Sequence, residues 1–427
     1  MKISLFQGII MGVFAVGALI GIFVFATFDS NSGSVGASIG TVTIWGVVPR
    51  ADVSNALKEI TATDKSLEHV SYVQHDIATF KNDLAAAIAT GSGPDLLLIS
   101  QEQLFSLRNF IQTIPDATLP ARTFQSSFVG EAQLFRTTTE VYGVPVLVDP
   151  LVMYYNRSTL TSNGIATPPS TWEAITGLIP KITTKTPAGR ITRALTALGS
   201  YDNVYDARGI LSALFLQTGV SMSVPSVNNT RRAALAGTAG EAVLRFYTQF
   251  ADPTKVSYTW DASLSSSRQT FLIGDLALYF GYASEAAFIR AASPNLDFDV
   301  APLPQPATAT NKSTYGLVYA LVRARGTDNP TGALNAALYL AGSSGQPSLS
   351  SNTGLAPTSL VTINAGTSDP TLAIAYRSAL YAKGWLSPDP NDTDRVFSAM
   401  IQGVTSGGLD LRAALASAER SLNALFQ

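Results

Sequence analysis

The sequence predicts an α/β fold of two lobes that are joined by several crossings of the chain. Strand and helix patterns alternate over residues 41–99, which is typical of parallel strands joined by helices. The run Leu96-Leu97-Leu98-Ile99 is continuously apolar, as in a strand that is buried on both faces of a sheet. Residues 146–151 and 301–304 combine prolines with strand patterns, and we expect them to be the hinge strands. A chain of 427 residues is long enough for more than one core.

The first lobe begins with two short strands, each followed by a helix. Segments rich in β-branched side chains predict strands at residues 41–45 and 70–74. Helices are predicted at residues 52–60 and 80–89. The second helix ends before Gly91, because glycine readily adopts the left-handed conformation of a helix C-cap.

Helical patterns predominate after the first hinge strand. Two adjacent prolines before Ser170 and Thr171 predict a helix that begins there, with one of the two hydroxyls as its N-cap. Helices are predicted at residues 171–179, 207–218, 238–250, 266–273 and 329–340, and strands at residues 274–280, 296–301 and 315–322. We expect a polar loop at residues 342–358, with a third crossing, and helices over most of residues 369–426.

The crossings divide the chain into an N-terminal segment and two lobes. We expect residues 1–40 to form a membrane anchor and linker, residues 41–148 with 302–345 to form the first lobe, and residues 149–301 with 346–427 to form the second lobe.

The N-terminal segment predicts a transmembrane helix. Residues 5–28 contain no charged side chain and are mostly apolar, and about 20 apolar residues suffice for a helix to span a bilayer. Lys2 and Asp29 flank this run, which indicates a cytoplasmic N-terminus and lobes outside the cytoplasm. The alternative is a cleaved signal peptide with residues 35–37 as its cleavage site, but its apolar core would usually be shorter. The length favours a single-pass anchor in the cell membrane.

Composition and motifs exclude several classes of function. The 28 basic and 30 acidic residues give no field that would attract nucleic acid. Cysteine is absent, which excludes disulfides, iron–sulfur clusters, cysteine-ligated zinc and a lipid-modified cysteine. The two histidines, His69 and His75, lie in no metal or catalytic motif, and no P-loop, GxSxG or HExxH occurs. We therefore expect no metal, no cofactor and no catalytic residue.

Residues 141–172, VYGVPVLVDPLVMYYNRSTLTSNGIATPPSTW, closely resemble the hinge segment of extracellular solute-binding proteins of family 1. These proteins are the receptors of ABC importers, and the best-known members bind maltose and other oligosaccharides. The segments GSGPDLLLIS, GDLALYFGY, FDVAPLP and TGLAPT also occur in the family's order, so the resemblance covers nearly everything after Gly40. It implies the type II periplasmic-binding-protein fold, in which two lobes close around a ligand by hinge motion. It also implies a monomer that captures a sugar or oligosaccharide without chemistry and delivers it to the transmembrane subunits of a permease.

Residues on the loops after predicted strands are candidates for a ligand-binding cleft. A cleft for a polar, uncharged ligand needs aromatic faces and convergent hydrogen-bonding groups, because buried polar groups must be paired. In an open α/β sheet such groups follow the carboxyl ends of the strands. The candidate ligand-binding residues are Trp45, Gly46, Glu102, Asp149, Tyr155, Tyr201, Asn203, Tyr282, Ser284, Glu285, Tyr315, Gly316 and Trp385.

The resemblance implies specific roles for two of these residues. Glu102 lies where maltose-binding proteins have a sugar-binding carboxylate, and Tyr282 lies where the family has an aromatic residue, often Trp, that stacks on the ligand. An acid in the first turn of a helix is an equally good interpretation of Glu102. Trp45 fits the core as well as the cleft, and Asp149 fits a hydrogen bond to the hinge as well as a contact with ligand. Trp385 follows a glycine in a predicted loop, which favours the cleft over the core.

The residues and the resemblance together predict a membrane-anchored, extracytoplasmic solute-binding protein of an ABC importer. Two alternatives stand beside it. One is a sensor that presents its ligand to a signalling partner, and the other is an anchored carbohydrate hydrolase that uses Glu102 with Asp149 or Glu285.

Overall fold

The computed structural model describes residues 39–226 and 230–426, which form two α/β lobes. The chain begins with β1 (Val42–Gly46), α1 (Arg50–Thr63), β2 (Val70–Gln74), α2 (Phe80–Ala89), β3 (Leu96–Ser100), α3 (Gln101–Leu107), β4 (Ile111–Gln112), β5 (Ile114–Pro115), α4 (Ala121–Ser127), β6 (Glu140–Val141) and β7 (Gly143–Asn156). A 3-10 helix at Gly130–Phe135 precedes β6.

The second lobe follows β7. Its elements are α5 (Arg157–Ser162), α6 (Trp172–Ile182), β8 (Thr184–Lys185), β9 (Ile191–Thr196), α7 (Ala207–Gln217), β10 (Ser223–Pro225), β11 (Arg231–Ala233), α8 (Thr238–Thr248), α9 (Ser267–Leu272), β12 (Leu276–Tyr282), α10 (Glu285–Ala292) and β13 (Phe298–Pro302). The chain continues with β14 (Thr314–Ala324), α11 (Pro330–Leu340), α12 (Gln346–Thr353), β15 (Ala356–Pro357), α13 (Leu360–Ala365), α14 (Pro370–Ala379), β16 (Ala382–Lys383), α15 (Pro390–Thr405) and α16 (Leu411–Leu425).

One strand, β7, belongs to the sheets of both lobes. Its residues 143–150 pair with β14 and β15, and its residues 151–156 pair with β12 and β13. The strand order is β2-β1-β3-β14-β7 in the first sheet and β7-β12-β9-β8 in the second. All residues of β7 except Tyr155 are buried, which explains its continuous apolar run. The change of partners between Pro150 and Leu151 falls within residues 146–151, where we expected a hinge strand.

The prediction of a polar loop at residues 342–358 is wrong, because α12 and β15 lie there. The helix is rich in Ser, Asn and Gln, so its sequence shows no apolar stripe. Its polar side chains are paired inside the protein instead. Gln346 is fully buried, and its amide accepts a hydrogen bond from the backbone N–H of Ser359 at 2.8 Å and donates one to the carbonyl of Ala341 at 2.9 Å. Tertiary contacts therefore stabilise a helix that local pattern does not predict.

The contacts of α12 and α13 bear on the division of the chain into lobes. α12 packs against α1, and α13 packs against α4, so both helices lie with the first lobe. The long helices α15 and α16 pack on α8 of the second lobe. These contacts favour a third crossing after α13 rather than at residue 345, and the lobe boundaries stay a proposal.

Within the two described ranges, no helix is both long enough and apolar enough to cross a lipid bilayer. The transmembrane helix that we predict at residues 5–28 lies outside the described residues.

Candidate ligand-binding cleft

A cavity of about 490 Å³ lies between the two lobes. The first lobe contributes the loops after β1 and β2, the end of β3 with the first turn of α3, and Leu317 and Tyr319 of β14. The second lobe contributes residues 201, 202 and 204–209, together with Tyr282 and Asp394. The volume lies within the range of roughly 300–1,000 Å³ that is usual for small-molecule sites.

Parallel pairing explains why the first-lobe residues meet at this edge. β1 pairs in parallel with both β2 and β3, so the carboxyl ends of the three strands lie together. Helix α3 starts directly after β3, where Ser100 and Gln103 form a capping box. The first turn of α3 therefore places Glu102 at the cleft, with only 3% of its surface exposed.

An ion pair at the cleft joins the two lobes. Arg208, in the first turn of α7, donates from Nη2 to Oε2 of Glu102 at 2.5 Å. Its Nη1 donates to the carbonyl of Pro390 at 2.5 Å and lies 3.4 Å from Oδ2 of Asp394. The hydroxyl of Tyr315 donates to Oε1 of Glu102. Both carboxylate oxygens of Glu102 are therefore occupied by protein partners.

The hydrogen-bonding and charged partners of Arg208 favour the charged form of its guanidinium. Burial lowers the pKa of its guanidinium, but the carboxylates of Glu102 and Asp394 outweigh burial and raise the pKa above its ordinary value. The hydroxyl of Tyr201 donates to the other oxygen of Asp394 at 2.5 Å, which fixes this carboxylate at the wall of the cavity. A buried charge that is paired on both sides costs far less than an isolated one.

Asp149 lies behind the cavity wall and links the hinge strand to the second lobe. Its Oδ2 accepts a hydrogen bond from the hydroxyl of Ser284 at 2.5 Å, and its Oδ1 accepts one from the backbone N–H of Ser284 at 3.1 Å. Burial raises the pKa of the Asp149 carboxyl to about 7, although these hydrogen bonds lower it. Of the two interpretations that the sequence left open, this geometry matches the hydrogen bond at the hinge.

The carboxyl groups of Glu285, which is buried, and Asp206, which is half-buried, interact with each other. Glu285 accepts hydrogen bonds from the hydroxyl of Tyr279 at 2.6 Å and from the backbone N–H of Tyr282 at 2.9 Å. Burial and the charge of Glu285 raise the pKa of the Asp206 carboxyl well above its ordinary value. Asp206 lines the cavity in a left-handed conformation, with φ of 58°, that is uncommon outside glycine.

Another buried carboxyl group, that of Glu131, was not among the candidates. It is 5% exposed, and neither of its carboxyl oxygens has a hydrogen-bond partner among the described residues. Burial raises its pKa to about 8. A Cβ atom at Gly316 or at Gly384 would lie 2.4 Å or 2.6 Å from a Glu131 oxygen, so both glycines make room for this side chain. The backbone carbonyl of Gly316 also accepts a hydrogen bond from the Gln101 amide at 3.0 Å.

Trp45 and Gly46 lie near the cleft but do not line the cavity. The ring of Trp45 is half-buried, with its centroid 4.0 Å from that of His75. Gly46 permits close packing, because a Cβ there would lie 2.8 Å from the Tyr72 hydroxyl and 2.9 Å from the Leu98 carbonyl oxygen.

Three other candidates lie away from the cavity. Trp385 is 2% exposed, stacks on Phe397 and donates from its indole nitrogen to the Ser212 hydroxyl at 3.1 Å, so it belongs to the core. Tyr155 reaches Asp299 at the far end of β7, with 3.5 Å between the hydroxyl and the carboxylate. The amide of Asn203 donates to two backbone carbonyls at residues 261 and 264, which anchors a loop.

The structure thus brings together part of the candidate set. Glu102, Tyr201 and Tyr282 line the cavity. Asp149, Ser284, Glu285, Tyr315 and Gly316 form the layer behind them. The residues that sequence reasoning missed at the cavity include Tyr205, Asp206, Arg208, Tyr319 and Asp394. Proximity to the candidate Tyr201 could have suggested residues 205–208, but nothing local distinguishes Asp394 on α15. The described residues hold no cluster of three or more acidic or histidine side chains suited to a metal ion.

Several solved structures share this architecture. A cyclic alpha-maltosyl-1,6-maltose binding protein from Arthrobacter globiformis aligns with a TM-score of 0.73 at 17% identity, over 92% of this chain and 99% of its own. The GacH receptor of Streptomyces glaucescens aligns with a TM-score of 0.69 at 18% identity, over 91% of this chain and 98% of its own. A maltotriose binding protein from Thermus thermophilus aligns with a TM-score of 0.67 at 17% identity, over 91% of this chain and 100% of its own. Identities this low establish the fold alone.

Sequence comparison gives the family itself. No curated protein sequence matches the chain. Residues 51–347 match the family described as bacterial extracellular solute-binding protein, which confirms the resemblance seen in the hinge segment. Because this match spans more than half of the sequence, the chain belongs to the family of bacterial extracellular solute-binding proteins.

Proposed function

We propose that this protein captures a saccharide in the cleft between its lobes and delivers it to the permease of an ABC importer. The observation that carries the proposal is a cavity between the lobes whose wall combines four tyrosines with hydrogen-bonding groups. The structural relatives support it, because one is a binding protein for cyclic alpha-maltosyl-1,6-maltose, one binds maltotriose and one binds acarbose.

The chemistry of the cavity wall suits a sugar. Tyr201, Tyr205, Tyr282 and Tyr319 supply aromatic surfaces on which the C–H faces of a sugar ring can pack. The hydroxyls of Tyr282 and Tyr319 have no hydrogen-bond partner in the described part of the chain, so they are available to sugar hydroxyls as donors and acceptors. These two hydroxyls, rather than the occupied carboxylate of Glu102, are therefore the first partners that we assign to the ligand.

The same geometry favours binding over hydrolysis. A glycosidase needs two carboxyl groups that flank the scissile bond. Glu102 is committed to Arg208 and Tyr315, and Asp149 and Glu285 lie behind the cavity wall rather than in it. We therefore assign capture by lobe closure, in which the ligand stabilises the closed form because it contacts both lobes only there.

The function is tested by ligand screening of residues 39–427. Thermal-shift assays with malto-oligosaccharides, amino acids and polyamines are expected to show stabilisation by a saccharide only. Calorimetry on Tyr282→Ala should then show a loss of roughly 2 kcal/mol of binding free energy, as expected for a buried aromatic contact, which is more than a tenfold loss of affinity. The matched control is Tyr155→Ala, which removes the same side chain from β7 outside the cavity. Stabilisation by amino acids or polyamines alone, or equal losses in both variants, would contradict the proposal.

Membership of an extracellular family places the binding lobes outside the cytoplasm. We further propose that the apolar residues 5–28 hold the protein in the membrane as a single-pass helix and that the lobes act as a monomer. Mass spectrometry of the native protein is expected to find residues 5–28 still attached. A mature N-terminus after residue 37 would instead identify a cleaved signal peptide.

A further inference from the structure

Two exposed aromatic rings continue the cavity wall of the second lobe outward. Tyr205 lines the cavity and is 40% exposed, and Phe288 on α10 is 47% exposed. The guanidinium of Arg268 lies against both rings, with its central carbon 3.7 Å from the Tyr205 centroid and 4.7 Å from the Phe288 centroid. We call these three side chains the rim cluster.

The rim cluster is held in place from several sides. Arg268 lies on α9, and its Nη1 is 3.7 Å from Oε2 of Glu285. The backbone N–H of Tyr205 donates to the hydroxyl of Ser267 at 2.8 Å. Phe288 lies on α10, one helical turn after Glu285. A surface that is ordered before binding loses little conformational entropy when a ligand arrives.

Single exposed apolar residues are common and need no explanation. The rim cluster differs from them because its two rings share one cation and because Tyr205 makes it continuous with the cavity. Aromatic faces next to guanidinium donors are also the groups that bind sugar rings, since the rings pack on C–H faces and the donors reach hydroxyl oxygens.

We propose that Tyr205, Arg268 and Phe288 form an outer sugar subsite, which binds the units of an oligosaccharide that extend beyond the cavity. The inference rests on the proposed function and adds to it a preference for chains too long for the cavity alone. The cavity binds the first units, and the rim cluster adds affinity only when the chain reaches it.

The test is calorimetry on the whole chain with maltose, maltotriose, maltopentaose and maltoheptaose. In the unmodified protein we expect affinity to rise with chain length. In Phe288→Ala we expect the affinity for maltoheptaose to fall about tenfold while the affinity for maltose is unchanged. Val361→Ala is the control, because it truncates an exposed apolar side chain on α13, which packs on α4 of the first lobe, and should change neither affinity.

The possible outcomes separate the subsite from the proposed function. If none of the four saccharides binds the unmodified protein, both proposals fail. If they bind but Phe288→Ala weakens all of them equally, or none of them, the outer subsite is wrong and the proposed function stands. Normal binding by Phe288→Ala with impaired uptake in cells would assign the rim cluster to contact with the permease, which also overturns the subsite.

Discussion

Replacing Glu131 with glutamine removes a group that we expect to make the protein less stable as the pH rises. Its carboxyl is buried without a hydrogen-bond partner among the described residues, and burial raises its pKa from 4.5 to about 8. Below about pH 4.5 the carboxyl is protonated in both the folded and the unfolded state. Between about pH 4.5 and pH 8 the folded state binds the proton more tightly, so the free energy of unfolding falls as the pH increases. Above about pH 8 the carboxyl is ionised in both states, and the stability that its bound proton contributed to the folded state is lost.

The size of the effect follows from the pKa. A rise from 4.5 to about 8 corresponds to roughly 5 kcal/mol, since each pKa unit is worth about 1.4 kcal/mol. Glutamine has nearly the same shape as glutamic acid, and its side chain does not titrate in this pH range. The difference in unfolding free energy between the unmodified protein and Glu131→Gln should therefore decline by an amount of this order from about pH 5 to about pH 8. Asp149, with its pKa raised to about 7, adds a decline in the same direction, but it does so in both proteins and cancels in the difference.

Urea unfolding at a series of pH values measures this difference directly. Glu68→Gln is the control, because it makes the same substitution at an exposed position. We expect the control to follow the unmodified protein and Glu131→Gln to diverge from it. Parallel curves for all three proteins would mean that the folded protein hydrates or pairs the Glu131 carboxyl, and the argument from burial would be refuted.

Two further predictions concern the ion pair and the tryptophan. Arg208→Met leaves the Glu102 carboxylate buried without its cation and should lower the unfolding free energy by about 3–5 kcal/mol, whereas adding Glu102→Gln should restore part of that loss. Strictly additive losses in urea titrations would show that the two side chains do not interact. Trp385→Ala should cost about 3–5 kcal/mol of stability with unchanged saccharide affinity in the protein that remains folded. A weakened affinity at full stability, seen by calorimetry, would place the indole in the cleft after all.

The sequence predicts the fold well because the signals for it are local. The apolar run of β7 is continuous since the strand is central to two sheets, and the bounds predicted for β2 and α2 are those observed. The exception, α12, forms because its polar side chains find partners inside the protein, such as those of Gln346. No window of sequence can reveal such partners in advance.

The cavity is harder to predict because its partners are distant in the sequence. Glu102 could be found, since it follows a parallel strand, but its ion pair with Arg208 depends on how two lobes pack. Gly384 and Trp385 illustrate the same limit. The glycine predicts a loop at the cleft, yet it is required because a Cβ there would overlap Glu131, and the neighbouring indole packs in the core. A glycine followed by a tryptophan can therefore occur either in a loop that binds a ligand or where close packing leaves no room for a Cβ, and the sequence alone does not distinguish the two.

The sharing of β7 by both sheets also decides how the molecule comes apart. If the sheet of one lobe unfolds, half of β7 loses its partner strands, while the other half of β7 is still central to the sheet of the other lobe. The two cores are thus expected to melt as one cooperative unit, although each is large enough to be a separate domain. Backbone amides along residues 143–156 should be among the slowest in the chain to exchange their hydrogens with solvent, because exposing them requires both lobes to unfold. A hinge of this kind permits the lobes to bend while it prevents either from unravelling alone.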